Sequence, residues 1–302
     1  MMYDLIIIGA GPAGITAAVY AARKKMNFLV IAKDVGGQTA LSGDIENYTG
    51  YQFITGPDLT MKFEEHMKKY GINWKENEEV VKVTGVSGVI SVKTAGDTYE
   101  AKTAIIASGA RWRELGIPGE KEFKNKGLTY CATCDGPLFA GRDVAVIGGG
   151  NSGLEATLQL MKIAKSVRLI EASPRLTGDR IMQDKIRIAE NVTVLENTKV
   201  TAVLGEKLVS GIKINTNGKE QTLPLQGVFV EIGLMPISEF AEGIDRNEYK
   251  EIKINSRNET NIPGIFAAGD VTDVPEKQII IAAGEGSKAT LSAFRYLARQ
   301  KS

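Results

Sequence analysis

The feature that most limits what this chain can become is a pattern that occurs twice. An apolar run leads into a glycine turn of the form GxGxxG, and a stretch with helical spacing follows. In the first copy residues 5–8 run into Gly9-Ala10-Gly11-Pro12-Ala13-Gly14, and Ile15, Ala18, Val19 and Ala22 then recur at helical intervals. In the second copy residues 144–147 run into Gly148-Gly149-Gly150-Asn151-Ser152-Gly153, with helical patterning over 154–163. A further apolar run follows each, at 28–32 and 167–171. Strand, glycine turn, helix and strand make a βαβ unit, two parallel strands joined by a crossover helix. Gly9 and Gly148 are 139 residues apart, far beyond the period of a solenoid, so the chain carries a duplicated domain.

Strand-patterned stretches punctuated by glycine follow each copy, at 80–106 and 192–232, with a turn signal at Asn217-Gly218. Residues 61–70 read as a helix ended by Gly71. The last segments, 262–270 and a long helical pattern over 279–298, have no glycine unit of their own and are expected to complete the first domain. The predicted fold is α/β: two Rossmann-like dinucleotide-binding domains of three-layer type, the second inserted into the first. The expected boundaries are 1–113 and 243–302 for the first domain and 114–242 for the inserted one. Gly- and Pro-containing linkers at 111–120 and 233–236 would make a double-stranded hinge. A length of 302 residues accommodates two domains with separate cores.

Composition removes several function classes. With 37 Lys and Arg against 36 Asp and Glu, the formal charge of +1 gives no global reason to expect nucleic acid or an anionic membrane as partner. No run approaches the ~18 apolar residues of a membrane span. The N-terminus lacks a basic leader region, so the expected compartment is the cytoplasm. Two cysteines cannot form the disulfide framework of a secreted protein of this size. His66, Cys131 and Cys134 are the only good zinc ligands, so no metal is expected. His66 itself lies in a charged stretch that reads as a solvated helix face, which argues against a Ser-His-Asp system.

The chemistry-bearing residues cluster around the turns. Glycines let the backbone approach a pyrophosphate, whose charge a helix N-terminus favours. Gly9, Gly11 and Gly14 form one such site, and Gly148, Gly150, Asn151, Ser152 and Gly153 another. Glu171 ends the strand that follows the second turn. An acid there can accept hydrogen bonds from ribose hydroxyls and repels a 2′-phosphate, which favours NADH over NADPH. Arg168 and Arg175 keep NADPH open, and a plain strand-end carboxylate in solvent remains the alternative. The first unit has Ala32-Lys33-Asp34 at the corresponding place, with no clear acid at the strand end, and then Gly36-Gly37-Gln38. Different ribose ends suggest two different dinucleotides.

Cys131-Ala132-Thr133-Cys134-Asp135 holds both cysteines three apart. The spacing suits a redox dithiol at the start of a short helix, where one thiolate is stabilised, with half a metal site or coincidence as the competing readings. Dithiol chemistry needs a proton donor; with no histidine nearby, Asp135 is the best candidate, against a local capping role. Asp270 follows a buried strand pattern at 264–268, where α/β sheets bind ligands, and Gln278 near the start of the last helix can donate to an electron-rich ring.

These motifs, in order and over essentially the whole chain, resemble the low-molecular-weight thioredoxin reductases: GAGPAG, the Gly36-Gly37-Gln38 loop with Glu46-Asn47-Tyr48, CATCD, GGGNSG and the stretch 264–286. The resemblance implies FAD on Gly9, Gly11, Pro12, Ala13, Gly14, Lys33, Gly36, Gly37, Gln38, Asn47, Asp270, Lys277, Gln278 and Ile279, with Asp270 on the ribityl chain. It implies a homodimer, a Cys131–Cys134 disulfide reduced by flavin with Cys134 facing it, attack on a partner disulfide by Cys131, and Asp135 as the acid. It also implies rotation of the inserted domain about the two linkers.

One departure matters. NADPH-using members carry an Arg pair after the second strand of the nicotinamide domain, and here Glu171-Ala172-Ser173-Pro174-Arg175-Leu176-Thr177-Gly178 has none. This stretch, with 179–188 and Gly284-Glu285-Gly286, is similar to the NADH-dependent flavoprotein of the alkyl hydroperoxide reductase system. That flavoprotein has an extra N-terminal dithiol domain not found in this sequence, so a separate thioredoxin- or glutaredoxin-like protein is the expected partner. The alternatives are an NADH-dependent reductase of a peroxiredoxin system or an NADH oxidase, a ferredoxin-dependent flavin thioredoxin reductase, and a non-catalytic FAD-binding redox sensor.

Overall fold

Leu5, Ile6, Ile7 and Ile8 are buried on both faces of the strand Met2–Ala10, as a central parallel strand requires. The computed structural model describes residues 2–42, 44–86 and 88–300. Trp112–Leu234 forms one compact unit, and the residues on either side of it form the other.

In the outer unit, the sheet runs in the order Trp74–Lys75, Phe28–Val35, Met2–Ala10, Thr98–Ile106, Val89–Thr94, Val80–Val86. The strand Thr98–Ile106 has two roles. Its first half pairs antiparallel with Val89–Thr94 (Ala101 opposite Ile90), and its second half pairs parallel with Ile265–Ala267 (Ala104 opposite Ile265). The C-terminal segment therefore does return to the first unit, and the parallel part of the sheet is completed by it.

Alternation along the strands sorts the core into two layers. Leu5, Ile7, Val30, Ile105 and Phe266 pack with Ala17, Ala21, Ala289 and Ala293 of the helices Pro12–Arg23 and Ile279–Arg299. Ile6, Ile8, Ile31 and Ile106 pack on the other face with Val83, Ile90 and Val92 of the antiparallel strands. The helix expected at 61–70 spans Gly56–Lys69: Thr55 caps it by accepting from Asp58 N, and Pro57 occupies its first turn, where the missing N–H costs nothing.

The inserted unit repeats the plan. Five parallel strands lie in the order Leu128–Thr129, Gly227–Val230, Asp143–Ile147, Ser166–Ile170, Val192–Leu195. A three-stranded antiparallel meander, Thr198–Gly205, Val209–Thr216 and Lys219–Pro224, supplies Val200, Ile212 and Ile214 to a core shared with Ala145 and Val228. The helix Asn151–Leu160 covers the opposite face through Leu154 and Leu160, against Val144, Val146 and Phe229.

Residues 235–242 depart from the expected 114–242 boundary by clustering with the outer unit. They run alongside Val80–Val86: Val83 N donates to Phe240 O at 2.8 Å and Glu242 N to Val83 O at 3.1 Å, which buries Ala241 beside Val83. That edge strand would otherwise leave its amide and carbonyl unpaired.

The helices of the outer unit cross through small residues. A β-carbon on Gly286 would lie 2.0 Å from Ala13 O, whereas one on the exposed Gly284 would meet nothing within 4 Å. Gly286→Ala is expected to destabilise the protein by about 1–3 kcal/mol through forced separation of the helices. Gly284→Ala should be neutral or stabilising by up to about 1 kcal/mol. Urea unfolding of the two variants checks the pair; equal effects would mean that the crossing does not depend on Gly286.

Candidate dinucleotide and disulfide sites

The outer unit places a glycine turn at the carboxyl end of its central strand. A β-carbon on Gly14 would sit 1.9 Å from Gly9 O, so the helix can start against the strand only with glycine there. Gly11, the N-cap, differs: an added β-carbon meets no atom within 4 Å, and no side chain caps the helix that begins at Pro12 and Ala13. Open space over uncapped backbone amides is what a pyrophosphate requires. Gly36 N donates to Ala10 O at 2.7 Å, and Gly37 packs against Gly11, with its would-be β-carbon 3.5 Å from the Gly11 Cα.

Around this turn the structure assembles most of the residues expected to bind FAD. Gln38 Nε2 donates to Ala110 O at 2.7 Å and to Asp270 Oδ2 at 3.4 Å. Desolvation pushes the Asp270 carboxyl above the usual range, and Lys277 opposes that shift. Lys277 pairs with Glu251 at 2.9 Å and donates to Thr272 O, so it ties down the segment after Asp270. Asn47 Nδ2 donates to Gln278 Oε1 at 3.1 Å, which links the loop to the N-cap of the helix starting at Ile279. Lys33 stands apart: its ammonium pairs with Glu79 at 3.5 Å, with both side chains more than 60% exposed. The residues present fit a dinucleotide with a buried acid beside it.

The inserted unit holds a second turn of the same construction. A β-carbon on Gly153 would lie 1.8 Å from Gly148 O, while the nearest atom to one on Gly150 is Thr177 Oγ1 at 3.9 Å. The helix Asn151–Leu160 has Gly150 as N-cap without a side-chain cap, and Ser152 is exposed in its first turn. Asn151 Oδ1 accepts from Asp179 N at 2.8 Å, which spends that side chain on the following loop. Glu171 lies in the turn: Oε2 accepts from Gly149 N at 2.7 Å and Oε1 from Ser173 N at 2.6 Å. Each carboxylate oxygen keeps further acceptor capacity for a ribose hydroxyl. These residues too fit a dinucleotide.

Cys131 and Cys134 are joined as a disulfide across the four-residue helix Ala132–Asp135. Cys131 is the N-cap, and its Sγ accepts from Cys134 N at 3.1 Å, the contact that stabilises a thiolate once the bond is reduced. Thr129 braces both ends of the turn. Its Oγ1 accepts from Cys131 N at 3.2 Å and donates to Asp135 Oδ2. Gln159 Nε2 donates to Ala132 O at 3.0 Å.

Sequence reasoning missed Thr129, Gln159 and, above all, Glu231. The Glu231 Oε1 accepts from Ala132 N at 3.2 Å, on the disulfide turn itself. Burial pushes its carboxyl up to about 7; the Ala132 hydrogen bond opposes this and the charge of Glu155 adds to it. The signal was present, because Glu231 follows the apolar strand Gly227–Val230 just as Asp270 follows Ile265–Ala267, at the strand ends where such sheets bind ligands.

Two dinucleotide-fitted turns and a disulfide on an α/β scaffold define a class of two-nucleotide redox proteins. The chain belongs to the pyridine nucleotide-disulphide oxidoreductase family, whose model matches residues 3–286. It is 45% identical over 305 residues to an alkyl hydroperoxide reductase component of Xanthomonas campestris pv. phaseoli, covering 98% of this chain and 57% of that protein. It is 43% identical to an NADH dehydrogenase of Bacillus subtilis (strain 168), covering 98% of this chain and 59% of that protein. The chain thus spans less than two thirds of these relatives. Among solved structures, thioredoxin reductase from Streptococcus pyogenes superposes with a TM-score of 0.94 at 36% identity, covering 99% of each chain. No helix among the described residues is long and apolar enough to cross a membrane.

Glu231 gives the site a pH signature. Between 4.5, the ordinary carboxyl value, and about 7 the folded chain holds a proton that the unfolded chain has released. The unfolded state then binds fewer protons, so this stabilising contribution is present below that window and is lost as pH rises through it. Glu231→Gln should flatten that loss, measured as the urea midpoint across the window; an unchanged slope would contradict the raised carboxyl.

Proposed function

We propose that this chain is a flavin-dependent NAD(P)H:disulfide oxidoreductase that prefers NADH and reduces the disulfide of a small thioredoxin- or glutaredoxin-like protein. The observation that carries the reading is the Cys131–Cys134 disulfide, placed at a helix start in the same unit as the second glycine turn. When bound, FAD supplies the two-electron step between a reduced nicotinamide and a disulfide.

The chain's own groups account for binding and proton handling. The amides after Gly11 hold one pyrophosphate and Asp270 accepts from a hydroxyl of the ribityl chain, while Gln38, Asn47 and Gln278 orient the loops around it. The amides after Gly150 hold the second pyrophosphate, and Glu171 accepts from the adenosine ribose. Reduction of the disulfide leaves two sulfurs, of which Cys131, backed by the amide of Cys134, attacks the partner's disulfide. Cys134 then attacks Cys131 in the mixed disulfide, re-forming the internal bond and releasing the partner reduced. Asp135, held by Thr129, donates a proton to the departing thiolate.

The preference for NADH is supported by Glu171 and by the absence of an Arg pair in 171–178, and agrees with the name of the Bacillus relative. A homodimer and rotation of the inserted unit about its two linkers belong to the same proposal. Kinship with an alkyl hydroperoxide reductase component supports, as a second reading, a peroxide-reducing system as electron acceptor.

Anaerobic NADH should bleach the bound flavin, and thioredoxin with a disulfide dye should then turn over. A flavin that stays oxidised under NADH would remove the hydride reading. Cys134→Ser should abolish thioredoxin turnover while leaving flavin bleaching in place; continued turnover would refute the dithiol relay. Glu171→Arg should shift the ratio of kcat/KM values toward NADPH by about tenfold or more. A wild-type protein already faster with NADPH would overturn the coenzyme assignment.

A further inference from the structure

The strand Gly227–Val230 lies beside Leu128–Thr129 in parallel register, with Phe229 opposite Thr129. Both strands therefore end on the same edge of the sheet, one running into Cys131 and the other into Glu231. The carboxyl of Glu231 meets the peptide that joins Cys131 to Ala132, and Oε1 accepts the Ala132 N–H at 3.2 Å. Within the short disulfide turn the amide of Cys134 serves the Cys131 sulfur, and that of Ala132 serves a carboxylate.

We propose that Glu231 is a positioning residue that sets the charge state of Cys131. When ionised it holds the Ala132 amide and, by like charge across one peptide, moves the ionisation of Cys131 to higher pH; with a neutral side chain at 231 the thiol ionises earlier. The proposal deepens the dithiol reading above and rests on it. The charged and polar groups around Glu231 agree with this role. Glu155, on the helix Asn151–Leu160, adds like charge, and Gln159 from the same helix is neutral and bound to Ala132 O. Asp135, at the far end of the disulfide turn, is engaged by Thr129. With its carboxyl pushed up to about 7, Glu231 changes charge just below the range in which a thiol of ordinary pKa, about 8.5, ionises. The two groups titrate as a coupled pair.

The test uses Cys134→Ser, in which Cys131 is the one thiol left, and follows its alkylation by iodoacetamide against pH in the protein as purified. The parent profile should rise at higher pH than that of a variant without the Glu231 charge. Glu231→Gln keeps the acceptor for Ala132 N and removes the charge; its profile should move toward acid, with alkylation about fivefold faster at a pH about one unit below the thiol's ordinary pKa. Glu155→Gln lets Glu231 ionise at lower pH and should slow alkylation just below pH 7, and it answers the same question if the Glu231 variant fails to fold. Profiles that superimpose for parent and variants overturn the proposal. Alkylation requires neither flavin reduction nor a nicotinamide, so a protein whose flavin NADH cannot bleach would lose the proposed function and still decide this point.

Discussion

At the starts of the helices Pro12–Arg23 and Asn151–Leu160, the backbone passes so close to the preceding strand that a methyl group would sit 1.9 Å and 1.8 Å from the carbonyl oxygens of Gly9 and Gly148. That approach holds each helix against its sheet, with Ile15, Ala17, Ala18 and Val19 in the outer core and Leu154, Ala156 and Leu160 in the inserted one. It also leaves the middle glycines, Gly11 and Gly150, facing open space over uncapped amides. One steric condition thus accompanies both the close packing and the open space over the uncapped amides.

Four of the polar side chains described above stand just past the carboxyl end of a strand. Asp270 follows Ile265–Ala267, Glu171 follows Ser166–Ile170, Glu231 follows Gly227–Val230, and Cys131 follows Leu128–Thr129. Within each unit the parallel strands end on one edge, so residues of that unit far apart in sequence meet there without any element being bent to deliver them. The disulfide turn shows the benefit: Thr129, Gln159 and Glu231 reach it from two strands and a helix, and each engages a different backbone or side-chain group.

The architecture was legible in the sequence because its signals are steric and periodic. Two glycine turns, alternating strands and a C-terminal segment lacking a unit of its own were enough to predict a nested pair of α/β domains. The disulfide turn was legible because its residue type announces its chemistry, as with Cys131 and Cys134. Glu231 went unnoticed, although the strand-end rule that singled out Asp270 applies to it equally. Thr129 carries no motif at all; its role comes from register, which a linear pattern does not contain. Lys33, which the family resemblance assigns to the nucleotide, carries an exposed ammonium paired with Glu79. The segment 235–242 escaped for a similar reason: it is recruited by an unpaired strand edge far away in sequence.

The strand Thr98–Ile106, shared between an antiparallel partner before it and a parallel partner near the C-terminus, imposes an order of assembly. The inserted unit is continuous in sequence and can close its sheet from residues already synthesised. The outer unit cannot: Ala104–Ile106 offers an apolar, unpaired edge until Ile265–Ala267 and the last helix emerge from the ribosome. The inserted unit can therefore close while that edge of the outer sheet still awaits its last strand.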